Sequence, residues 1–240
     1  MHKKIQILLL ISIFLITSIF PCNASEVSDL IKKIQEAQPQ YADLETKVEI
    51  NTISPLLGDK SIKQVQKIYR KGKDKERIDV IEPIKQTTII NGKYLYQKDA
   101  QGRVIKQDLE EVTSKALGFS YSPDRIENIM KAFELTASQN ADSVVLTGIP
   151  KELAADALIT KVVMTFTKDT LLLNRIQAYR NQELLMTSEM NHTLVNEQPV
   201  LKELNTQIFM EGMPLSSQAV YSEIKLDQGL ADSLFEVDEQ

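Results

Sequence analysis

From residue 44 the chain alternates. Leu44, Thr46, Val48 and Ile50 fall on one phase, and Glu45, Lys47, Glu49 and Asn51 on the other. That two-residue period predicts a strand with one dry face and one wet face. Similar runs recur at 62–69, 78–81, 87–90, 94–97 and 104–107. They resume at 143–147, 162–166, 171–179, 183–195, 200–210 and 218–226. Residues 55–59 make a turn, and Pro83 stops the third run. Asn91-Gly92 suits a type I′ hairpin, because both residues tolerate positive φ. Ile62 and Val65 fall on opposite phases, which predicts a bulge.

Three stretches carry helical spacing instead. Leu30, Ile31, Ile34 and Ala37 line one face of 28–38, with Ser28 as N-cap and Pro39 as terminator. Residues 109–117 show a looser version. Ser122-Pro123-Asp124 supplies a capping serine, a first-turn proline and an early acid, followed by the stripe Ile126, Ile129, Met130 and Phe133. A short turn over 231–235 closes the pattern. No repeat or low-complexity linker divides the chain. The predicted fold class is mostly β with helices (α+β): a single domain over 25–240, built as a long, curved antiparallel sheet with about three helices on one face. A sheet of about eight or more strands tends to curl. Its inward positions, among them Val48, Ile50, Ile78, Val80, Ile90, Leu95, Met164 and Phe166, are aliphatic with a few aromatics. They would line a cavity for an apolar ligand or fill a core, and the residues leave both open.

The first 24 residues stand apart. Lys3 and Lys4 precede an apolar run over 5–20, broken by Gln6, Ser12, Thr17 and Ser18. Small residues follow at Ala24 and Ser25. This is the pattern of a secretory signal peptide, with cleavage expected after Ala24. Pro21 and Phe20 before Cys22 argue against lipid attachment there. Losing Lys3 and Lys4 takes the net charge from −5 to −7, which argues against a nucleic-acid partner. The single cysteine, Cys22, leaves with the signal, so the exported chain rests on its core alone.

Catalytic chemistry finds little to work with. His192 is the one histidine after the signal and reads as a surface strand residue, without the partners of a zinc site or triad. Glu110 and Glu111 read as a wet helix face. The basic run 70–77 reads as a solvated turn, with phosphate headgroups or an inner-membrane partner as the alternative. There is no nucleophile elbow or Gly-rich phosphate loop, so neither an enzyme nor a cofactor is expected.

Tyr69-Arg70, Arg77-Ile78-Asp79, Pro83, Ile89-Ile90-Asn91-Gly92-Lys93 and Tyr94-Leu95-Tyr96 follow one another in an order that resembles the LolA-type outer-membrane lipoprotein carrier and lipoprotein-sorting family. The run from Phe166 to Tyr179 and the ending Ile224-Lys225-Leu226 with Asp232-Ser233-Leu234-Phe235 fit as well. The resemblance implies an unclosed β-barrel with a helical lid over a hydrophobic cavity. It implies a periplasmic carrier or sorting protein that binds acyl chains of lipoproteins or lipids without catalysis. The partners would be that ligand, an inner-membrane donor complex and an outer-membrane receptor, and the carrier would act as a monomer. It further implies that Arg70 latches the lid to the barrel, a task its planar fork suits. The alternative is an envelope protein–protein or stress-sensing module of the same fold with a filled core.

Overall fold

The alternating runs become strands of one sheet. The structure, a computed structural model, describes residues 24–55, 60–108, 133–151, 159–210 and 213–237. The first meander holds β1 (Asp43–Ile53), β2 (Ser61–Lys71), β3 (Lys75–Glu82), β4 (Gln86–Asn91), β5 (Tyr94–Lys98) and β6 (Val104–Asp108). The second holds β7 (Phe133–Gln139), β8 (Ser143–Pro150), β9 (Lys161–Thr167), β10 (Leu173–Arg180), β11 (Glu183–Val195), β12 (Gln198–Met210) and β13 (Met213–Leu226). Helix α1 (Ala24–Ala37) precedes them.

All pairings are antiparallel, in the order β6-β5-β4-β3-β2-β1-β13-β12-β11-β10-β9-β8-β7. Every ladder joins strands that are neighbours in sequence except one, where β1 meets β13. The sheet curls and stays unclosed, with β6 and β7 at its two ends. The chain passes between those ends through residues 109–132, outside the described residues.

Four local expectations change. The hairpin after β4 turns on Gly92-Lys93, because Asn91 pairs with Tyr94. Only Gly92 has positive φ, +58°, which fits a II′ turn with glycine first. The paired positive φ of a I′ turn occurs instead at Asn181-Gln182 and Asn196-Glu197. Phe133, expected on a helix, opens β7, a strand the sequence reading missed; Phe133, Leu135 and Ala137 continue its stripe at period two. α1 begins at Ala24, ahead of Ser28. Its end is as expected: Gln38 Nε2 donates to Ile34 O (2.8 Å), and Pro39 follows. The bulge expected in β2 is not there: β2 pairs with β1 without a break, and the register shift against β3 leaves the extra residue, Ile81, on β3, between the partners of Val65 and Gln66.

α1 is the one α-helix among the described residues, beside a 3-10 turn at Asp232–Phe235. The helices expected over 109–117 and from 122 lie outside those residues. α1 lays Val27, Leu30, Ile31 and Ile34 onto the concave side of β7–β11. There they join Phe133, Val144, Leu146, Val162, Met164, Phe166, Leu173 and Ile176 in the largest buried cluster. The other half of the concave face is less covered. Ile50, Ile78, Val80, Ile90 and Leu95 are only partly buried.

Ile34 is fully buried (0% exposed), whereas Leu194 is 69% exposed. Ile34→Ala is expected to lower stability by about 2–5 kcal/mol in urea unfolding, because the cavity opens under α1. Leu194→Ala should change it by less than about 0.5 kcal/mol.

Candidate functional site

Directly opposed residues in an antiparallel ladder present their side chains to the same face. The register therefore extends one concave wall from β1 to β5. Leu44, Arg70, Glu76, Ile90 and Leu95 form one row; Thr46, Ile68, Ile78 and Thr88 the next; Val48, Gln66 and Val80 a third. The wall continues past Val48 to Tyr221 and past Ile50 to Ala219 on β13. Val48 is buried, while Ile50, Ile78, Val80, Ile90 and Leu95 are partly so. Met164 and Phe166 are fully buried in the α1 cluster on the other half.

Arg70 and Glu76 close the first row. The hairpin between β2 and β3, with Gly72 at φ +58°, sets them directly across from each other. Both side chains are mostly enclosed, at 17% and 10% exposure, and Arg70 Nε donates to Glu76 Oε2 at 2.7 Å. Burial works against the guanidinium charge, but Glu76, with Tyr41 and Tyr221, outweighs it and holds the Arg70 pKa above its ordinary value. The latch implied for Arg70 concerns a lid of about three helices, two of which, expected over 109–117 and from 122, lie outside the described residues. Among the described residues its hydrogen bond goes to Glu76.

Arg70 also lines a cavity of about 40 Å³ at the end of α1. Gln38, Pro39 and Tyr41 come from the residues after α1; His192, Pro199, Val200 and Leu201 from β11 and β12; Tyr221 and Ile224 from β13. His192, expected on the surface, is half-buried here, and burial pushes its pKa down. Burial likewise pushes the Tyr221 phenol up, with Arg70 pulling the other way and Glu76 adding to the rise, so the phenol remains a neutral donor at neutral pH. The sequence reading found Arg70 but not His192, Tyr41 or Tyr221. Alternation with Val220 was the one signal for Tyr221, and nothing local pointed to His192. Ligand pockets span about 300–1,000 Å³, so this one fits a small polar group rather than a chain.

The basic run after Arg70 is a solvated turn only at its tip, where residues 72–74 are exposed; the cations that flank it bind the C-terminal segment. Lys71 Nζ donates to Leu230 O (2.7 Å), and Lys75 Nζ to Asp232 Oδ1 (2.9 Å). Arg77 Nη1 donates to Leu234 O (3.0 Å), and Asn91 Nδ2 to Phe235 O (3.2 Å). These bonds bind the C-terminal segment across the outer side of β3 and β4, where Phe235 is fully buried and Ile89 4% exposed. Buried Asp43 anchors the start of that segment, accepting from the backbone N–H groups of Gln228, Gly229 and Leu230 (2.8–3.0 Å). A second hollow of about 410 Å³ lies beside this segment, lined by polar groups including Arg77, Thr87, Lys98, Ser233 and Glu236. Among the described residues no three His, Cys, Asp or Glu side chains gather as for a metal ion.

No family model matches the chain, and a search of curated proteins finds no match. Solved structures do match. A LolA-superfamily protein from Nitrosomonas europaea superposes with a TM-score of 0.62 at 17% identity, over 88% of this chain and 97% of that one. A DUF1329-family protein from Desulfovibrio piger gives 0.66 at 18%, over 87% and 95%. A domain named for outer-membrane lipoprotein sorting, from Vibrio parahaemolyticus, gives 0.65 at 12%, over 87% and 95%. The fold is therefore the LolA-like one.

Removing Arg70 alone leaves Glu76 as an unpaired buried charge, so Arg70→Leu is expected to lower stability by about 3–5 kcal/mol. Replacing both partners, R70L/E76L, should bring it back to within about 1 kcal/mol of wild type, because an apolar pair leaves no buried charge. Denaturant midpoints of the two variants decide this. His192 gives a pH test. Because burial disfavours the imidazolium, the unfolded chain takes up that proton more readily than the folded one. Stability due to neutral His192 is thus whole above the ordinary value of about 6.5 and falls away as pH drops below it. Thermal scans at pH 7.5 and pH 5 should show a larger loss for wild type than for His192→Gln; equal losses would contradict it.

Proposed function

We propose that this chain is an exported, periplasmic carrier or sorting protein that holds the acyl chains of lipids or lipoproteins against a concave apolar wall, without chemistry. One observation carries the reading: the two halves of the concave face are treated differently. The β7–β11 half is sealed by α1. The β1–β5 half buries Leu44, Val48 and Ile68 but leaves the apolar side chains Ile50, Ile78, Val80, Ile90 and Leu95, spread over its rows, only partly buried. A protein needing only a core has no use for that difference, whereas a chain-binding wall does. The LolA-like fold and the name of the sorting domain that shares it support the same reading. The signal-like residues 1–24, with processing after Ala24, complete the proposal: residues 25–240 would work in the periplasm, exchanging cargo with membrane-bound donors and receptors.

Val80 lies mid-wall, opposite Gln66 and Gln86. The mature protein is expected to bind a fluorescent fatty-acid probe and to release co-purified lipid in native mass spectrometry. Val80→Asp places a charge on the wall and should weaken probe binding at least about tenfold, each tenfold being about 1.4 kcal/mol, with the circular dichroism spectrum unchanged. A wild-type protein that is free of lipid and silent to the probe would remove the carrier reading and favour a partner-binding module.

A further inference from the structure

The C-terminal segment shows what the outer side of the first meander binds. Residues 227–237 leave β13 and cross β3 and β4 as an irregular chain with a single 3-10 turn. Strand side chains grip its main chain: Lys71, Arg77 and Asn91 donate to the carbonyls of Leu230, Leu234 and Phe235. Lys71 and Lys75 both close on the Asp232 carboxylate, at 3.0 and 2.9 Å. Three residues on, Phe235 is fully buried. The surface thus recognises a peptide by an acid between two lysines, carbonyls on cationic or amide donors, and one apolar side chain as plug.

The outer hollow of about 410 Å³ begins where this segment ends, at Ser233, Glu236 and Val237, and reaches β5. Its lining offers the same chemistry again: Lys85 and Lys98, the amide of Gln86, the hydroxyl of Ser233 and the half-buried ring of Tyr96. Two of its other charges are already matched, Arg77 by Asp79 (2.9 Å) and Asp99 by Arg103 (2.6 Å). Lys85 and Lys98 are exposed, and among the described residues neither has an ion pair. Against these two lysines the lining sets one further acid, Glu236, in a chain whose net charge is −5.

We propose that this hollow docks an extended acidic segment of a partner protein, its carboxylates taken by Lys85 and Lys98 and one apolar side chain laid against Tyr96, continuing the track that the chain's own C-terminal segment follows. The mixed lining favours a peptide over a lipid headgroup. A phosphate would satisfy the lysines but has nothing for the acceptor Glu236, whereas a peptide brings main-chain N–H groups beside its carboxylates. The volume lies inside the range usual for ligand pockets. Ile89 lines the hollow, and Ile90, its neighbour in β4, points to the opposite face. The partner therefore docks behind the concave wall and leaves that wall free.

Fluorescence anisotropy on the mature protein tests this with two labelled peptides, the acidic EDLFDE and the neutral QNLFNQ. EDLFDE is expected to bind at least about tenfold tighter, the scale of one hydrogen bond to a charged group. K85Q/K98Q should remove that preference, whereas K33Q, at an exposed position of α1, should keep it. Raising salt from about 0.05 to 0.5 M should weaken EDLFDE binding, because exposed charges are screened. The fatty-acid probe should bind K85Q/K98Q as it binds wild type, so failure of the carrier reading leaves this inference standing. Equal affinity for the two peptides, or a preference that survives K85Q/K98Q, overturns it. So does a lysine-dependent response to phosphatidylglycerol vesicles without peptide binding, which would make the hollow a headgroup site. Peptide binding that appears only after residues 238–240 are removed would assign the hollow to the chain's own tail and overturn it too.

Discussion

The ladder between β1 and β13 joins two meanders that would otherwise be separate sheets. Every other pairing links neighbours in sequence and closes a short loop. This one brings together residues at opposite ends of the chain, such as Leu44 and Leu226. Closure of a long loop is entropically expensive only logarithmically, and the ladder is long, running from Leu44 to Ile53 with one bulge between Glu45 and Lys47. It is reinforced at its base. Asp43 gathers three backbone N–H groups just past β13, and the C-terminal segment then crosses to β3 and β4, held by Lys71, Lys75, Arg77 and Asn91. The charges there act as a strap on the outer side and leave the inner side to other work.

A curled sheet of thirteen strands cannot bury its concave face on itself. Something must cover it, or something must bind there. α1 covers the β7–β11 half with four apolar side chains of one helical stripe. The first meander carries apolar side chains on the same face, interleaved with polar ones, without that cover from α1. This division of one continuous surface into a packed half and a less buried half is the physical basis for reading the molecule as a carrier.

Between the halves lies the polar cluster. Leu44, on the row of Arg70, and Tyr221, opposite Val48, tie it to the central ladder, so its position depends on the join between the meanders. An Arg–Glu pair in such a place adds little net stability, yet removing either partner alone would strand the other as an uncompensated buried charge.

Much of this was legible in the chain. Alternation at Leu44, Thr46, Val48 and Ile50 set strand and inward face without tertiary help, because a period of two leaves no other choice. The order of turns predicted a meander, and the spacing of Leu30, Ile31 and Ile34 predicted the covering stripe. Local pattern failed where two periods agree: Phe133 continues a helical stripe and also begins Phe133-Leu135-Ala137 in β7. It failed also where partners are distant. Lys71, Lys75 and Arg77 look like a solvated turn until the C-terminal carbonyls arrive from over 150 residues away. Nothing near His192 or Tyr221 announces a shared cavity. Sequence by itself determined which residues alternate and therefore which can face inward, since that is a property of a single strand. Which inward residues meet across the β1–β13 join, and which half α1 covers, was decided only by tertiary structure, because both depend on contacts between segments that share no local pattern.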